Sequence, residues 1–179
     1  MRPKIKKEDF LNADDEWLVQ LIGQTTDVEI NPNITNQKKD LYYKRIQLCN
    51  LIIQIEFTIE SYGQINFFID YSHEIPDLIE LKELLYEFNE REAVDAIDKT
   101  LLFYHNNKKE FDYLTNAIEP ANYDLRHKQL EEKYYDLENT NNGVAFYIPL
   151  CEPIENLAKY IRLNPNEFLV DENGVEYNS

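Results

Sequence analysis

Glycine is scarce, with four residues in 179. A phosphate-binding loop needs clustered glycines that let the backbone approach the anion. These four stand apart, so such a cradle is excluded. The same scarcity speaks against a loop-rich or barrel fold. Cysteine is nearly absent, and Cys49 and Cys151 cannot build a disulfide framework. Cys49 lies inside an apolar run and reads as a reduced core thiol. The three histidines, His73, His105 and His127, lack metal-ligand spacing, and HExxH and CxxC are both missing. No GxSxG or Cys/His nucleophile pattern occurs. The chain thus carries no catalytic signature, and neither metal nor cofactor is expected. Nor is there an apolar run of the ~20 residues that a membrane span needs. The opening MRPKIKKEDF is basic, but no apolar stretch follows it. No signal peptide is therefore expected, and the protein is expected to be cytoplasmic.

Positive charge is the other shortage. Eighteen basic residues face thirty-four acidic ones, for a net charge of −16. Such a surface repels phosphate backbones and anionic membranes and attracts basic partners. Direct nucleic-acid binding and membrane association are not expected. High charge with little apolar content signals disorder. Here 43% hydrophobic and 13% aromatic residues argue for a folded acidic protein. Its length fits one domain of ordinary size.

What is present is organised around Leu41 to Phe68. Leu48, Ile52, Ile55 and Ile59 share one helical face, and Ile46, Cys49, Ile53 and Phe57 cover the flank beside it. A helix that is apolar most of the way round is a buried one. The expectation is a central helix over about 36–62, capped by Thr35 or Asn36 and stopped at Gly63. Ahead of it, Asn12 would cap a helix from Ala13 to Ile22, with Trp17, Leu18, Leu21 and Ile22 inward and Gly23 as its end. A turn-rich connector with Pro32 joins the two.

After Gly63 a short helix, Gln64 to Tyr71, carries Phe67 and Phe68 inward. Pro76 opens a helix to Phe88, and Asn89 breaks it. A helix from about Glu90 to Tyr104 completes an antiparallel pair. Helical patterns follow at Lys109–Ile118, ended by Pro120, and at Asp124–Leu137. ENTNNG at 138–143 reads as a loop, Val144–Leu150 as an extended stretch, and Pro153–Leu163 as a last helix. The expected architecture is all-α, seven to nine helices around the central one. Residues 13–168 form the domain. Residues 1–12 are a basic lead-in with a frayed end, and 169–179 are a loose acidic tail.

Two features suggest function. Glu56 interrupts the most apolar helix, and a buried carboxylate must be paired, hydrogen-bonded or neutral. A structural role is favoured; the alternative is a ligand or catalytic cleft formed by Glu56, His73, Tyr62 and the Phe pair. The second feature is a concentration of acids. Residues 74–99 hold nine acidic side chains against Lys82, Arg91 and Lys99. Asp77, Glu80, Glu83 and Glu87 recur at intervals of three and four, which stacks them along a helix. Glu90, Glu92 and Asp95 continue on the next helix, followed by Asp98. Such rows cost helix stability, and a merely solvated surface intersperses the signs. A duplex presents one negative charge per roughly 1.7 Å of axis. Carboxylates on rigid helices imitate part of that field.

The stretch Glu56, Gly63-Gln64-Ile65-Asn66-Phe67-Phe68 and Asp70 resembles the hallmark of the DNA-mimic-protein-like family. That hallmark is a helix Glu, an NGG turn, then Gln-aromatic-aromatic-x-Asn. Gly63 falls at the second Gly and Phe67-Phe68 at the aromatic pair. Asn66 stands for the Gln, Asp70 for the Asn, and Ser61-Tyr62 for the Asn-Gly. Tyr160-Ile161-Arg162 with Asn164-Pro165-Asn166-Glu167-Phe168 resembles the family's C-terminal ending. The likeness spans about Leu41 to Phe168. It implies an all-helical, acidic, bacterial protein whose named relative is a dimeric mimic that binds DNA-binding proteins.

The expected function is therefore non-enzymatic. Asp77, Glu80, Glu83, Glu87, Glu90, Glu92 and Asp95 would face the basic DNA-binding surface of a protein partner, and a homodimer is allowed. A rival with the same electrostatics is an immunity-type protein that neutralises a basic toxin.

Overall fold

The structure is a computed structural model that describes residues 2–24, 36–116, 122–140 and 149–177. The connector around Pro32, the stop at Pro120 and the extended stretch from Val144 lie outside them. The fold is all-α. Among the described residues there are ten α-helices and no named strand. They are α1 (Lys7–Asn12), α2 (Asp15–Gly23), α3 (Asn36–Tyr62), α4 (Gln64–Asp70), α5 (Ile75–Glu87), α6 (Arg91–Asn106), α7 (Lys108–Asn116), α8 (Tyr123–Thr140), α9 (Cys151–Leu163) and α10 (Pro165–Phe168). The contacts gather into two compact units, 1–54 with 150–179, and 55–149.

In the first unit, α3 contributes Tyr42, Ile46, Leu48, Cys49, Leu51 and Ile52 to the core. The N-cap of α2 is Asp14, whose side chain accepts the Trp17 N–H at 2.7 Å. The expected cap, Asn12, instead closes α1 and donates its amide to Glu8 O at 2.9 Å. Trp17, expected inward, is exposed, and Leu21 is half-buried; Leu18 and Ile22 are buried as expected, and Val19 joins them. Gly23 ends α2 as expected, but its glycine serves packing as well. A Cβ there would sit 2.9 Å from the Cys49 carbonyl oxygen, so only glycine lets α2 approach the α3 backbone this closely.

The chain ends of this unit are not loose. Ile5 and Phe10 are buried, as are Leu169, Val170 and Tyr177. Ile5 N donates to Val170 O and Val170 N to Pro3 O, each at 3.0 Å, which makes a parallel bridge. Asn166 clamps Tyr177 from both sides, accepting its N–H at 2.6 Å and donating to its carbonyl at 2.9 Å. The Tyr177 hydroxyl donates to Ile5 O. The bonds of Ile5 and Pro3 to Val170 and of Tyr177 to Ile5 join residues more than 150 positions apart, so no local period announces them.

The C-terminal motif is a connected network. Tyr160 donates its hydroxyl to Glu167 at 2.8 Å, and the Arg45 guanidinium lies 3.6 Å over the Tyr160 ring. Arg162 ties α9 to the start of α2 through Asp15 and the Ala13 carbonyl. Tyr42 stacks on Phe168 with ring centroids 5.4 Å apart. The Tyr42 hydroxyl is buried without a hydrogen-bond partner among the described residues. An unsatisfied buried hydroxyl costs about 1–3 kcal/mol. Tyr42→Phe is therefore expected to raise the melting temperature by roughly 2–4 °C. A lower melting temperature in calorimetry would contradict that assignment.

Burial also sets the alkaline limit. It pushes the Cys49 thiol from 9.0 up to about 12, and the Tyr42 and Tyr177 hydroxyls from 10.0 up to about 12. The folded protein holds these protons at a pH where the unfolded chain releases them. Their stabilisation is complete below about pH 9 and is lost as pH rises towards about 12. Thermal unfolding followed against pH should show a melting temperature that falls steeply above about pH 9–10. Constant stability up to about pH 12 would be inconsistent with these three groups ionising late.

In the second unit, α3 supplies Ile55 and Thr58 to the interior. Phe57, expected on the buried flank, is 67% exposed. It continues a stripe of Tyr43, Gln47, Asn50, Gln54 and Ser61 at helical spacing, all exposed. Gly63 starts α4 with φ of 77°, a left-handed value that favours glycine. The turn therefore delivers Phe67 and Phe68 into the core at 1% and 0% exposure. Phe68 stacks on Tyr104 at 4.8 Å and touches Phe111 at 5.4 Å. Asn66 Oδ1 meets His127 Nε2 at 2.8 Å, which links α4 to α8. Asp70 is exposed.

Candidate acidic face on the α5–α6 pair

The α5–α6 pair is built by local sequence. Pro76 sits in the first turn of α5, where its missing N–H costs nothing. Leu78, Leu81, Leu84 and Leu85 bury one side of the helix. The helix stops at Asn89, which has φ of 67°. Asn89 N donates to Tyr86 O at 3.1 Å and Glu90 N to Leu85 O at 2.9 Å. This Schellman closure satisfies the free carbonyls and turns the chain into α6. Along α6, Ala93, Val94, Ala96, Ile97, Thr100, Leu101, Phe103 and Tyr104 are buried.

The acids occupy the opposite sides. Glu80, Glu83 and Glu87 are exposed on α5, and Glu92, Asp95 and Asp98 are exposed on α6. Two expected members depart from the row. Asp77 is half-buried, lying about 120° round the helix from Glu83. Glu90 is half-buried in the turn, held there by its backbone bond to Leu85. The working set is thus Glu80, Glu83, Glu87, Glu92 and Asp95, with Asp98 beside them.

The two helices enclose a groove of about 670 Å³. Glu83 and Glu87 line it from α5, and Asp95 and Asp98 from α6, with Tyr86 and Val94 between them. Its cations are engaged internally. Lys82 Nζ is 2.9 Å from Asp98, and the Arg91 guanidinium lies 3.9 Å over the Tyr86 ring. Beyond the Lys82–Asp98 link, Ile79 and Leu102 are exposed, as is Tyr86 at 57%. Tyr86, Ile79 and Leu102 escaped the charge-based reading of the sequence. The signal for Ile79 and Tyr86 was their place off the Leu78–Leu81–Leu85 stripe of α5, and for Leu102 its place off the buried face of α6.

The other arginines are engaged too. Arg2 pairs with Glu176 at 3.5 Å, and Arg126 pairs with Glu110 at 3.0 Å while lying over Tyr113. Arg45 lies over Tyr160, and Arg162 pairs with Asp15. All five arginines are thus used for internal structure.

The Glu56 region takes another form. Glu56 is half-buried on α3, so it is not the sealed core carboxylate the apolar run suggested. His73 is 74% exposed and lies 3.9 Å from Glu74, which in turn accepts the Thr58 hydroxyl at 3.3 Å. The Phe pair is closed in the core. Glu56, His73 and the Phe pair are therefore not gathered at one open surface, and the Tyr62 side chain lies outside the described residues.

No protein-family model, curated protein or solved structure matches the chain.

Proposed function

We propose that the protein is a non-enzymatic binding protein whose α5–α6 face occupies the basic DNA-binding surface of a protein partner. The observation that carries this reading is the display of exposed carboxylates on two packed helices, with Lys82 and Arg91 engaged within the pair. Like-charged neighbours at these spacings cost the helices stability. A surface that keeps them gains long-range attraction for a basic partner and faster encounter. Tyr86, Ile79 and Leu102 supply the aromatic and aliphatic contact that protein interfaces use as anchors. Asn89 and the leucine stripe hold the display rigid, so little ordering entropy is lost on binding. The sequence resemblance to the DNA-mimic-protein-like family agrees with this reading.

The test is competition. A basic DNA-binding protein captured at low salt, then identified and purified, is offered both this protein and a duplex carrying its binding site. The expected result is mutual exclusion: duplex displaces the protein in proportion to its occupancy. A ternary complex would overturn the proposal. Capture of a basic toxin without affinity for DNA would replace it with the immunity-type reading.

A further inference from the structure

We propose that the α5–α6 groove is an arginine site with Arg91 as its internal competitor: a guanidinium from the basic partner takes the Tyr86 ring that Arg91 covers in the free protein. This inference rests on the proposed function and names the side chain that the partner inserts. The charge of the groove sets the sign of its occupant. Glu83 and Glu87 line one wall and Asp95 and Asp98 the other, and the cations of the lining are Lys82 and Arg91. Lys82 is paired with Asp98 at 2.9 Å. The balance is negative, and Glu80 and Glu92 are exposed on the same two helices. An anion is repelled here and a cation attracted.

Tyr86 chooses among cations. It lines the groove between the acidic walls and is exposed. The face of an aromatic ring attracts a guanidinium, whose planar fork also meets a carboxylate through parallel N–H bonds. An ammonium is a strongly hydrated point charge and gains less from either. The protein's own arginine displays the binding mode. The Arg91 guanidinium lies 3.9 Å over the Tyr86 ring, and its Nε donates to Asn89 Oδ1 at 3.2 Å. The groove therefore already holds one guanidinium in the free protein. Arg91 is the first residue of α6, where the helix dipole disfavours a cation. It is also exposed, and contacts of an exposed cation are weak enough to be exchanged. An incoming arginine gains the ring and the flanking carboxylates while Arg91 turns to solvent. A lysine gains only the carboxylates, so the exchange favours an arginine-bearing segment.

Octa-arginine and octa-lysine carry equal charge and separate an arginine site from generic attraction. Titration calorimetry on the full chain at one low salt concentration should give octa-arginine about tenfold tighter binding than octa-lysine. Tyr86→Leu should cut that preference to about twofold or less. Arg91→Gln should strengthen octa-arginine about fivefold. Lys99→Gln removes the same charge from α6 outside the groove, and should change either peptide by less than about twofold. All three positions are exposed, and circular dichroism checks that each variant is folded. The proposal is overturned if the two peptides bind alike, or if Tyr86→Leu keeps the arginine preference. It is also overturned if Arg91→Gln strengthens binding no more than Lys99→Gln does. Reversal of Glu80, Glu83 and Glu87 to Lys separates this failure from that of the proposed function. If the reversal abolishes octa-arginine binding while Arg91→Gln changes nothing, the arginine site alone falls. If octa-arginine binds the reversed protein as tightly as the wild type, the acidic face is not where cations dock, and both readings fall.

Discussion

Reversing Glu80, Glu83 and Glu87 to Lys is expected to weaken binding of a basic partner at least about 100-fold while leaving the fold intact. The three side chains are exposed, so their replacement removes no core contact. Three lysines crowd one another along α5 much as three glutamates do, so stability should stay within about 0.5 kcal/mol. Close charge pairs across a protein interface couple by about 1.5–7 kcal/mol, so three reversals are a large loss. A control keeps net charge from explaining the effect. Glu16, Glu152 and Glu155 are also exposed, and they lie on α2 and α9. Reversing those three raises the net charge equally. If both triple variants lose binding to the same degree, the interaction is generic attraction to an acidic protein and the α5–α6 face has no special part. Binding constants from titration calorimetry at one fixed salt concentration decide between the two.

Truncation of Phe68 to Ala is expected to cost about 3–5 kcal/mol, the usual range for a buried aromatic. Phe68 is fully buried and packs against Tyr104, Phe67 and Phe111. A domain with a total stability of about 5–15 kcal/mol tolerates that loss poorly. Phe57→Ala is the matched comparison, since Phe57 is 67% exposed. Its effect should stay within about 0.5 kcal/mol. Equilibrium unfolding in urea measures both. Equal losses for the two variants would contradict the placement of α3 and α4.

Those two phenylalanines also show how far the sequence could be read. Phe67-Phe68 was legible as core because Gly63 marks the turn that aims the pair inward. Phe57 was misjudged because a nearly all-apolar helix has no clear polar side from which to set its phase. Only the exposed stripe from Tyr43 to Ser61 fixes it. The end of α3 at Gly63, the break at Asn89 and the α5–α6 pairing were legible from leucine spacing and turn residues. The packed chain ends were not. Ile5, Val170 and Tyr177 are held by partners distant in sequence, and a basic or acidic local composition hides that.

The acidic face was legible as spacing, less so as surface. A run of acids at three- and four-residue intervals drifts around a helix of 3.6 residues per turn. Asp77 therefore falls to the flank while Glu80, Glu83 and Glu87 stay outward. The use of Lys82 by Asp98 and of Arg91 by Tyr86 depends on how α5 and α6 meet. No single-helix pattern contains that information. Under the proposed function, these two pairings set where the positive charges of Lys82 and Arg91 lie among the carboxylates.

The most direct test of the central claim is the salt dependence of partner binding for three proteins: the wild type, the α5 triple reversal and the α2–α9 control. Exposed charges are screened within about 8 Å at physiological ionic strength, so a partner held by the acidic face must be lost steeply as salt rises. The account predicts a steep slope for the wild type, a similar slope for the control, and weak binding with a shallow slope for the α5 variant. A wild-type affinity that does not change with salt, or equal slopes for the two triple variants, would contradict it.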